Sequence, residues 1–505
     1  MAAAPALILR GIARPARPDA MPATELLDLS ATELSRRIAC RDCSARELMD
    51  ATLARIDALN PRFNALVALR PPEELRAEAD ACDARLARGE RAGWMHGFPF
   101  APKDLSHCAG LPTSMGSPLT PKSPARQDSP HVARARAAGA IMIGKSNTPE
   151  FGLGSNTYNT VFGTTRNAWN PSKSAGGSSG GAAVALALGM LPVADGSDMM
   201  GSLRNPAAFN NVIGFRPSRG RVPGGPDDEL FFQQLGTDGP MGRTVEDTAR
   251  LLCVQAGPDP RLPLSLPQAL PAPDDLRLPT QVKGLRIGWL GSLWPDLPTA
   301  PGILPLCEAA LKTFVDLGAH VEACTLDVPR EQNWTAWLRL RQLLVGGKLG
   351  ALVADPKHRA QVKPEALWEI DQSRHLDAAS LYQASIYRSN VYRAFLRLFE
   401  RFDLVAAPTA QVYPFDAELH WPDRVADVPS DTYHRWMEIV TPFTLAGLPT
   451  LNLRAGFGPQ GLPMGLQLAG PVNADLAVLG AGQAYDDACP WSALRPPALA
   501  SLTEG

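Results

Sequence analysis

SAGGSSGGAAVALALG, residues 174–189, sets six consecutive glycines and serines (GGSSGG, 176–181) directly against an apolar, helix-forming run. Glycine loses more backbone freedom on folding than any other residue, so such a run marks a place where the backbone must come close to something. Three readings fit: an anion held by free N–H groups at a helix N-terminus, a nucleophile, or no ligand at all. Gly176, Ser178 and Gly180 satisfy the G-x-S-x-G pattern of a nucleophile elbow, but the preceding NPSKSA is no strand, so the strand-to-helix turn that exposes such a serine is missing. The downstream histidines His320, His358, His375, His420 and His434 sit in polar or helical stretches, where surface positions explain them as well as a triad does.

Around this stretch the chain reads as an α/β protein. Ser30 with Glu33 and Ser44 with Glu47 form capping boxes ahead of helical patterns such as Leu48, Met49, Leu53 and Ile56. From Gly97 onward, short apolar runs (FPFAP, AAGAIMIGK) alternate with glycine turns and helical stretches, and antiparallel hairpin signals are scarce. The run Ala182–Ala194 contains Pro192, falls short of the ~20 residues needed to cross a bilayer, and reads as a buried helix. GAIMIGKS (139–146) matches the phosphate-loop pattern letter for letter. Yet Ala-Ile-Met-Ile is itself the strand and Pro149 follows at once, so it reads as a buried strand ending in a turn, with Lys145 facing solvent or a carboxylate. The proline-rich residues 257–280 read as a long surface connection before the strand-like GLRIGWL at 284–290.

Composition narrows the partners. With 49 basic and 51 acidic residues among 505, the net charge of −2 gives no electrostatic reason to expect nucleic acid or an anionic membrane, and a neutral small molecule fits better. Eight cysteines are too sparse for a disulfide framework and fit reduced thiols in a cytoplasm. Cys40 and Cys43 form a C-x-x-C without a second pair at ligand spacing, which argues for incidental thiols over zinc. Arg10, Arg14 and Arg17 without an acid are faintly transit-like, and residues 1–20 read as a disordered extension or as sequence ahead of a true start at Met21.

Two further stretches complete the pattern: HGFPFAPKDLSHCAGLPTSMGSPL (96–119) and DGSDMMGSLRNPAAFNNVIGFRPSRGRVP (195–223). Together with GGSSGG, AAGAIMIGKSNTPEFG, DGPMGRTVEDTA (238–249), FDLVAAPTA (402–410) and TPFTLAGLPTLNLRAGFGPQGLPMGLQLAGP (441–471), in this order, they resemble the amidase signature family of serine hydrolases over most of the chain. The resemblance implies one large α/β domain over 21–500, a mixed β-sheet between α-helices, in place of the two or three domains that length alone suggests. It implies hydrolysis of amide C–N bonds through an acyl-enzyme, with no cofactor or metal. Aryl or hydrophobic amides are the expected substrates, and the family's aryl acylamidase and urethane-cleaving members extend this to carbamates.

By position in the motifs, Ser202 corresponds to the nucleophile, Ser178 to a relay serine on a cis peptide, and Lys103 to the general base. Lysine serves as a base only when neutral, so an ordinary pKa of ~10.4 must be lowered by desolvation, to which Phe98–Pro102 contribute. The N–H groups of Met199, Met200, Gly201 and Ser202 are expected to meet the oxyanion, Asp198 and Arg204 to brace the loop as an ion pair, and Ser179 to donate to backbone or to Ser202. Met200 departs from the family's glycine. Trp334, Trp337, Trp368 and Tyr382 are expected as pocket walls, although aromatics at helical spacing are core at least as often. Two rival readings stand beside the hydrolase: the amidase-like subunit of a glutamine-dependent tRNA amidotransferase, and a non-catalytic scaffold. A homodimer is allowed for.

Overall fold

The computed structural model describes residues 23–225 and 228–500; the N-terminal extension expected over 1–20 lies outside the described residues. Eight strands form the central sheet: β1 (Val193–Asp198), β2 (Ile213–Arg216), β3 (Thr237–Gly242), β4 (Arg286–Trp289), β5 (His320–Ala323), β6 (Leu404–Pro408), β7 (Thr450–Phe457) and β8 (Pro463–Ala469). The helices that matter to the site are α1 (Ala31–Cys40), α2 (Ala45–Phe63), α3 (Pro130–Ala137), α4 (Gly180–Ala187), α5 (Arg204–Asn210), α6 (Val245–Gln255), α7 (Ile303–Asp316), α8 (Arg330–Leu349), α9 (Ala378–Arg401) and α10 (Asp475–Ala488).

The strands lie in the order β1-β3-β2-β7-β8-β6-β4-β5. Pairing is antiparallel from β1 through β6 and parallel from β6 through β4 to β5. The sheet is thus mixed, and its larger part is antiparallel even though hairpin signals are scarce. The reason is connectivity: β7 and β8 are joined by the short turn 458–462, whereas β1 and β3, or β6 and β8, are far apart in the chain. In β6, β7 and β8 nearly every consecutive residue is buried. Successive side chains point to opposite faces, so both faces are covered, as a sheet packed between helices requires.

Ser44 caps α2 reciprocally, accepting from Glu47 N–H while Glu47 accepts from Ser44 N–H at 2.7 Å. At α1 only half the expected box forms: Ser30 accepts from Glu33 N–H at 3.1 Å, but the Glu33 carboxylate turns to Arg36 and Arg37. The apolar run 182–194 is not one helix. α4 ends at Ala187, left-handed Gly189 (φ +65°) caps it as Met190 N–H turns back to the Ala185 carbonyl at 2.8 Å, and β1 starts at Val193.

GAIMIGKS has a structural task. Ile141–Met142 pairs with Pro99–Phe100, and Ser146 brackets Lys103 from both sides, donating to the Pro102 carbonyl at 3.1 Å and accepting from Asp104 N–H at 3.1 Å. Lys145 does not reach solvent: its ammonium donates to the Ser106 carbonyl and lies 3.8 Å from Asp104 Oδ1.

Every residue of α4 is buried, and the helix starts where the backbone of Asn147 and Ala65 leaves no room for a side chain at Gly181. Gly181→Ala is therefore expected to lower unfolding free energy by about 1–3 kcal/mol or more. At Gly347 on α8, where a methyl group meets nothing within 4 Å, alanine should raise it by about 0.5–1 kcal/mol. Denaturant titration of both variants checks the pair; equal effects would show that the close approach at Gly181 relaxes freely.

Candidate active site

The glycine-serine loop is clamped from the side by residues 155–157. Ser155 donates to the Gly177 carbonyl and Thr157 to the Gly176 carbonyl at 2.8 Å. The Gly177–Ser178 peptide is cis. Into this loop reaches Lys103, 1% exposed, whose Nζ donates to Ser178 Oγ at 2.7 Å, Ser179 Oγ at 2.9 Å and Ser197 Oγ at 3.0 Å. Its backbone is fixed as well, the N–H donating to Asp195 Oδ1 at 2.9 Å. Burial pushes the lysine pKa down to about 7, against the upward pull of Asp238, Asp195 and Asp198. Half of such a side chain is neutral near neutral pH.

Ser202 lies in the turn between β1 and α5. It is 7% exposed, lines the same cavity as Ser178 and Ser197, and its carbonyl accepts from Ser179 N–H at 3.3 Å. Asp198 organises the turn: its carboxylate takes Arg204 Nε and Nη2 at 2.9 Å each, Gly201 N–H at 2.9 Å and Leu203 N–H at 3.3 Å, while Arg216 Nη1 lies 3.4 Å away. Burial alone raises a carboxyl pKa, but Arg204 and then Arg216 overcome it and hold Asp198 well below the usual carboxylate range. Arg204 in turn reaches Gln467 Oε1 on β8 at 2.8 Å and Thr444 Oγ1 at 3.1 Å, tying the turn to the middle of the sheet.

One expectation about this turn needs correction. Gly201 N–H is committed to Asp198, which leaves Met199, Met200 and Ser202 as the oxyanion candidates in the stretch. Ser179 Oγ donates to the backbone, at the Ser197 carbonyl (3.5 Å), and also accepts from Lys103. The left-handed residue of the turn is Gly201, at φ +77°, so the methionine at 200 sits where no positive φ is required. Its side chain is 3% exposed and belongs to the main hydrophobic core while also lining the cavity.

The cavity measures about 320 Å³ and is mainly apolar, with Leu105, Met115, Phe151, Leu153, Val222 and Met437 among its walls. None of the four aromatics expected there contributes. Trp334 and Trp337 are core residues of α8, Trp368 packs edge-on against Tyr433 and His434, and Tyr382 is 73% exposed on α9. The wall from this region is instead Arg341, Leu344, Val345, Lys348 and Leu349. Their spacing of three, four, seven and eight places them on one stripe of α8, a pattern readable in the sequence once the helix is assumed. The connection 257–280 also reaches the rim, through Leu262, Leu264 and Ser265. Of the five downstream histidines, His434 is buried at 3.0 Å from Glu369 and the other four are exposed; none lines the cavity. Sequence reading missed Ser197, the third hydroxyl on Lys103, and His131, which lies in the cavity wall 3.2 Å from Asp195. Among the described residues no group of three His, Cys, Asp or Glu is arranged to hold a metal ion.

Because Met200 is packed in the core, Met200→Ala is expected to lower stability by about 2–5 kcal/mol in denaturant titration. A loss well under 1 kcal/mol would show that the side chain is not held there.

Known proteins similar to this chain place it in a family. The family model described as Amidase matches residues 47–479. An acylamidase of Rhodococcus erythropolis is 31% identical over 473 residues, covering 93% of this chain and 97% of that protein. A subunit of the glutamyl-tRNA(Gln) amidotransferase of Chloroflexus aurantiacus is 33% identical, covering 94% of this chain and 99% of that one. The crystal structure of a bacterial aryl acylamidase of the amidase signature enzymes superposes with a TM-score of 0.85 at 31% identity, covering 92% of this chain and 97% of that chain. With the family model spanning most of the chain and full-length relatives above 30% identity, the chain belongs to the amidase signature family of amide hydrolases.

Proposed function

We propose that this protein cleaves the C–N bond of aryl or other hydrophobic amides, and of carbamates by extension, through an acyl-enzyme on Ser202. The observation that carries this reading is buried Lys103 Nζ at 2.7 Å from Ser178 Oγ, a serine that lines a mainly apolar cavity together with Ser202. A neutral lysine keeps two N–H donors and gains one lone pair, so of its three hydroxyl contacts two remain donations and the third reverses. The reversed contact is assigned to Ser178. Its proton then passes to Nζ as it takes the proton of Ser202 Oγ, and Ser202 forms the bond to the substrate carbonyl carbon. The negative charge on the carbonyl oxygen is met by N–H groups of Met199, Met200 and Ser202, a contribution of a few kcal/mol in such sites. As the C–N bond breaks, the amine takes the proton back from Lys103 through Ser178, and water, deprotonated along the same route, releases the acid. The similarity to acylamidases supports the aryl amide class. The eight free cysteines suit a reducing, cytoplasmic setting.

A second reading, the amidase-like component of an amidotransferase, is supported by relatives of that name at 33% identity. Turnover of simple anilides by the purified single chain would remove it, and a glutamine-only activity requiring co-expressed partners would favour it.

Ser202→Ala should abolish turnover, and a slow carbamate should leave its mass on the peptide containing Ser202; an adduct on Ser178 would reverse the roles of the two serines. Amide hydrolysis should rise about tenfold per pH unit below pH 7 and level off above it, because protonation removes the acceptor on Lys103. Lys103→Ala should lose roughly 10²- to 10⁴-fold in kcat on amides and less on esters, whose leaving groups need no proton. Full amidase activity in that variant would overturn the relay.

A further inference from the structure

The sheet behind Lys103 carries a charge pattern for which the relay has no use. Asp195 and Ser197 alternate on β1 and so share one face, and Asp238 on β3 stands directly across from Ser197. Two carboxylates therefore flank the hydroxyl that Lys103 Nζ contacts at 3.0 Å, and one of them also accepts the Lys103 N–H. Carboxylates beside an amine favour its protonated form, the opposite of what a base requires.

His131 answers that pull. It projects from α3 between the two acids, 1% exposed, with Nε2 3.2 Å from Asp195 Oδ2 and Nδ1 3.7 Å from Asp238 Oδ2. Neither ring nitrogen makes a well-aligned hydrogen bond, and both contacts are ion pairs when the ring is protonated. With a carboxylate before each ring nitrogen, only the doubly protonated imidazolium presents a proton to both. We propose that His131 is a positioning residue, held as a cation between Asp195 and Asp238, which offsets one of their two negative charges and so keeps Lys103 available as a base.

The inference rests on the reading of Lys103 as the general base. Burial pulls the His131 pKa down, but Asp238 and then Asp195 prevail and raise it above the ordinary imidazole value. The other charges nearby are matched elsewhere. Asp198 is held by Arg204 and Arg216, and Lys145, which opposes the imidazolium, faces Asp104. On the packed helix α6, Asp247 caps α1 through Ala31 and Thr32 N–H, and Glu246 pairs with Arg250. Arg134 and Arg136, on the helix of His131 itself, turn to the carbonyls of 255–258 and to Asp128.

The test is the pH dependence of kcat on an anilide for the wild type, His131→Gln, Asp238→Asn, the double variant and Lys103→Ala. His131→Gln should move the midpoint of the acid limb upward by about one pH unit, giving roughly fivefold less activity at pH 7 that is recovered at alkaline pH. Asp238→Asn should move the midpoint downward, and the double variant should return it toward the wild-type value. An unmoved midpoint in His131→Gln, or shifts of the same sign in both single variants, would overturn the inference. Should His131→Gln fail to fold, Asp238→Asn alone decides, since a midpoint that stays or rises there is equally fatal. Lys103→Ala separates the two levels: if it retains the wild-type limb and rate, the base assignment itself fails; if the limb depends on Lys103 but ignores His131, only the present inference does.

Discussion

The site is organised by one buried carboxylate. Asp198 stands at the end of β1, accepts two donors from Arg204, and draws the N–H groups of Gly201 and Leu203 toward itself, so the turn that carries Ser202 is built around it. Removing a charge from such a cluster would strand two buried guanidiniums, a far larger penalty than the loss of a surface pair. Because Arg204 continues to Gln467 on β8, the position of Ser202 is referred to the centre of the sheet rather than to a surface loop. Reacting groups need placement to within a few tenths of an ångström, and anchorage in rigid elements provides it.

Around this anchor the protein keeps opposite electrostatic regimes within one site. Asp198 is ionised because cations surround it; Lys103 is driven toward neutrality because burial outweighs its anions. Hydroxyl groups mediate between these regimes. They contact Lys103 without committing it to either charge state, since a serine donates or accepts as required. A carboxylate in the place of Ser178 would fix the lysine as an ammonium.

Legibility in the sequence followed the range of the interactions concerned. The motif blocks led to Lys103, Ser178 and Ser202, because those residues sit in short segments whose local conformation is nearly determined by their own glycines and prolines; the structure sets both serines in one cavity wall, with Lys103 buried behind them on Ser178 Oγ. The Ser44–Glu47 cap was readable for the same reason. What was not readable depended on partners far away in the chain. Gly201 N–H turns to Asp198 because of a fold in the turn that no spacing discloses, and His131 matters only because β1 and β3 pair in one register. The aromatics of 330–400 illustrate a different failure. Trp337 is the kind of side chain a pocket would use, but on α8 the core claims that face and the cavity receives the stripe of Arg341 and Leu344.

The participation of the connection 257–280 in the cavity rim has an evolutionary corollary. Leu262, Leu264 and Ser265 belong to no strand of the sheet and to no labelled helix, and the segment is fastened by Leu266 N–H to the Gly220 carbonyl at 2.8 Å and by Arg134 and Arg221 donating to the Pro258 and Gln268 carbonyls at 2.9 and 3.0 Å. Loops of this type accept insertions and exchanges at little thermodynamic penalty, because closure entropy grows only slowly with length. Selection can therefore reshape what enters the cavity by rewriting this stretch while the lysine and serines stay untouched, so substrate range in this lineage is free to drift much faster than chemistry.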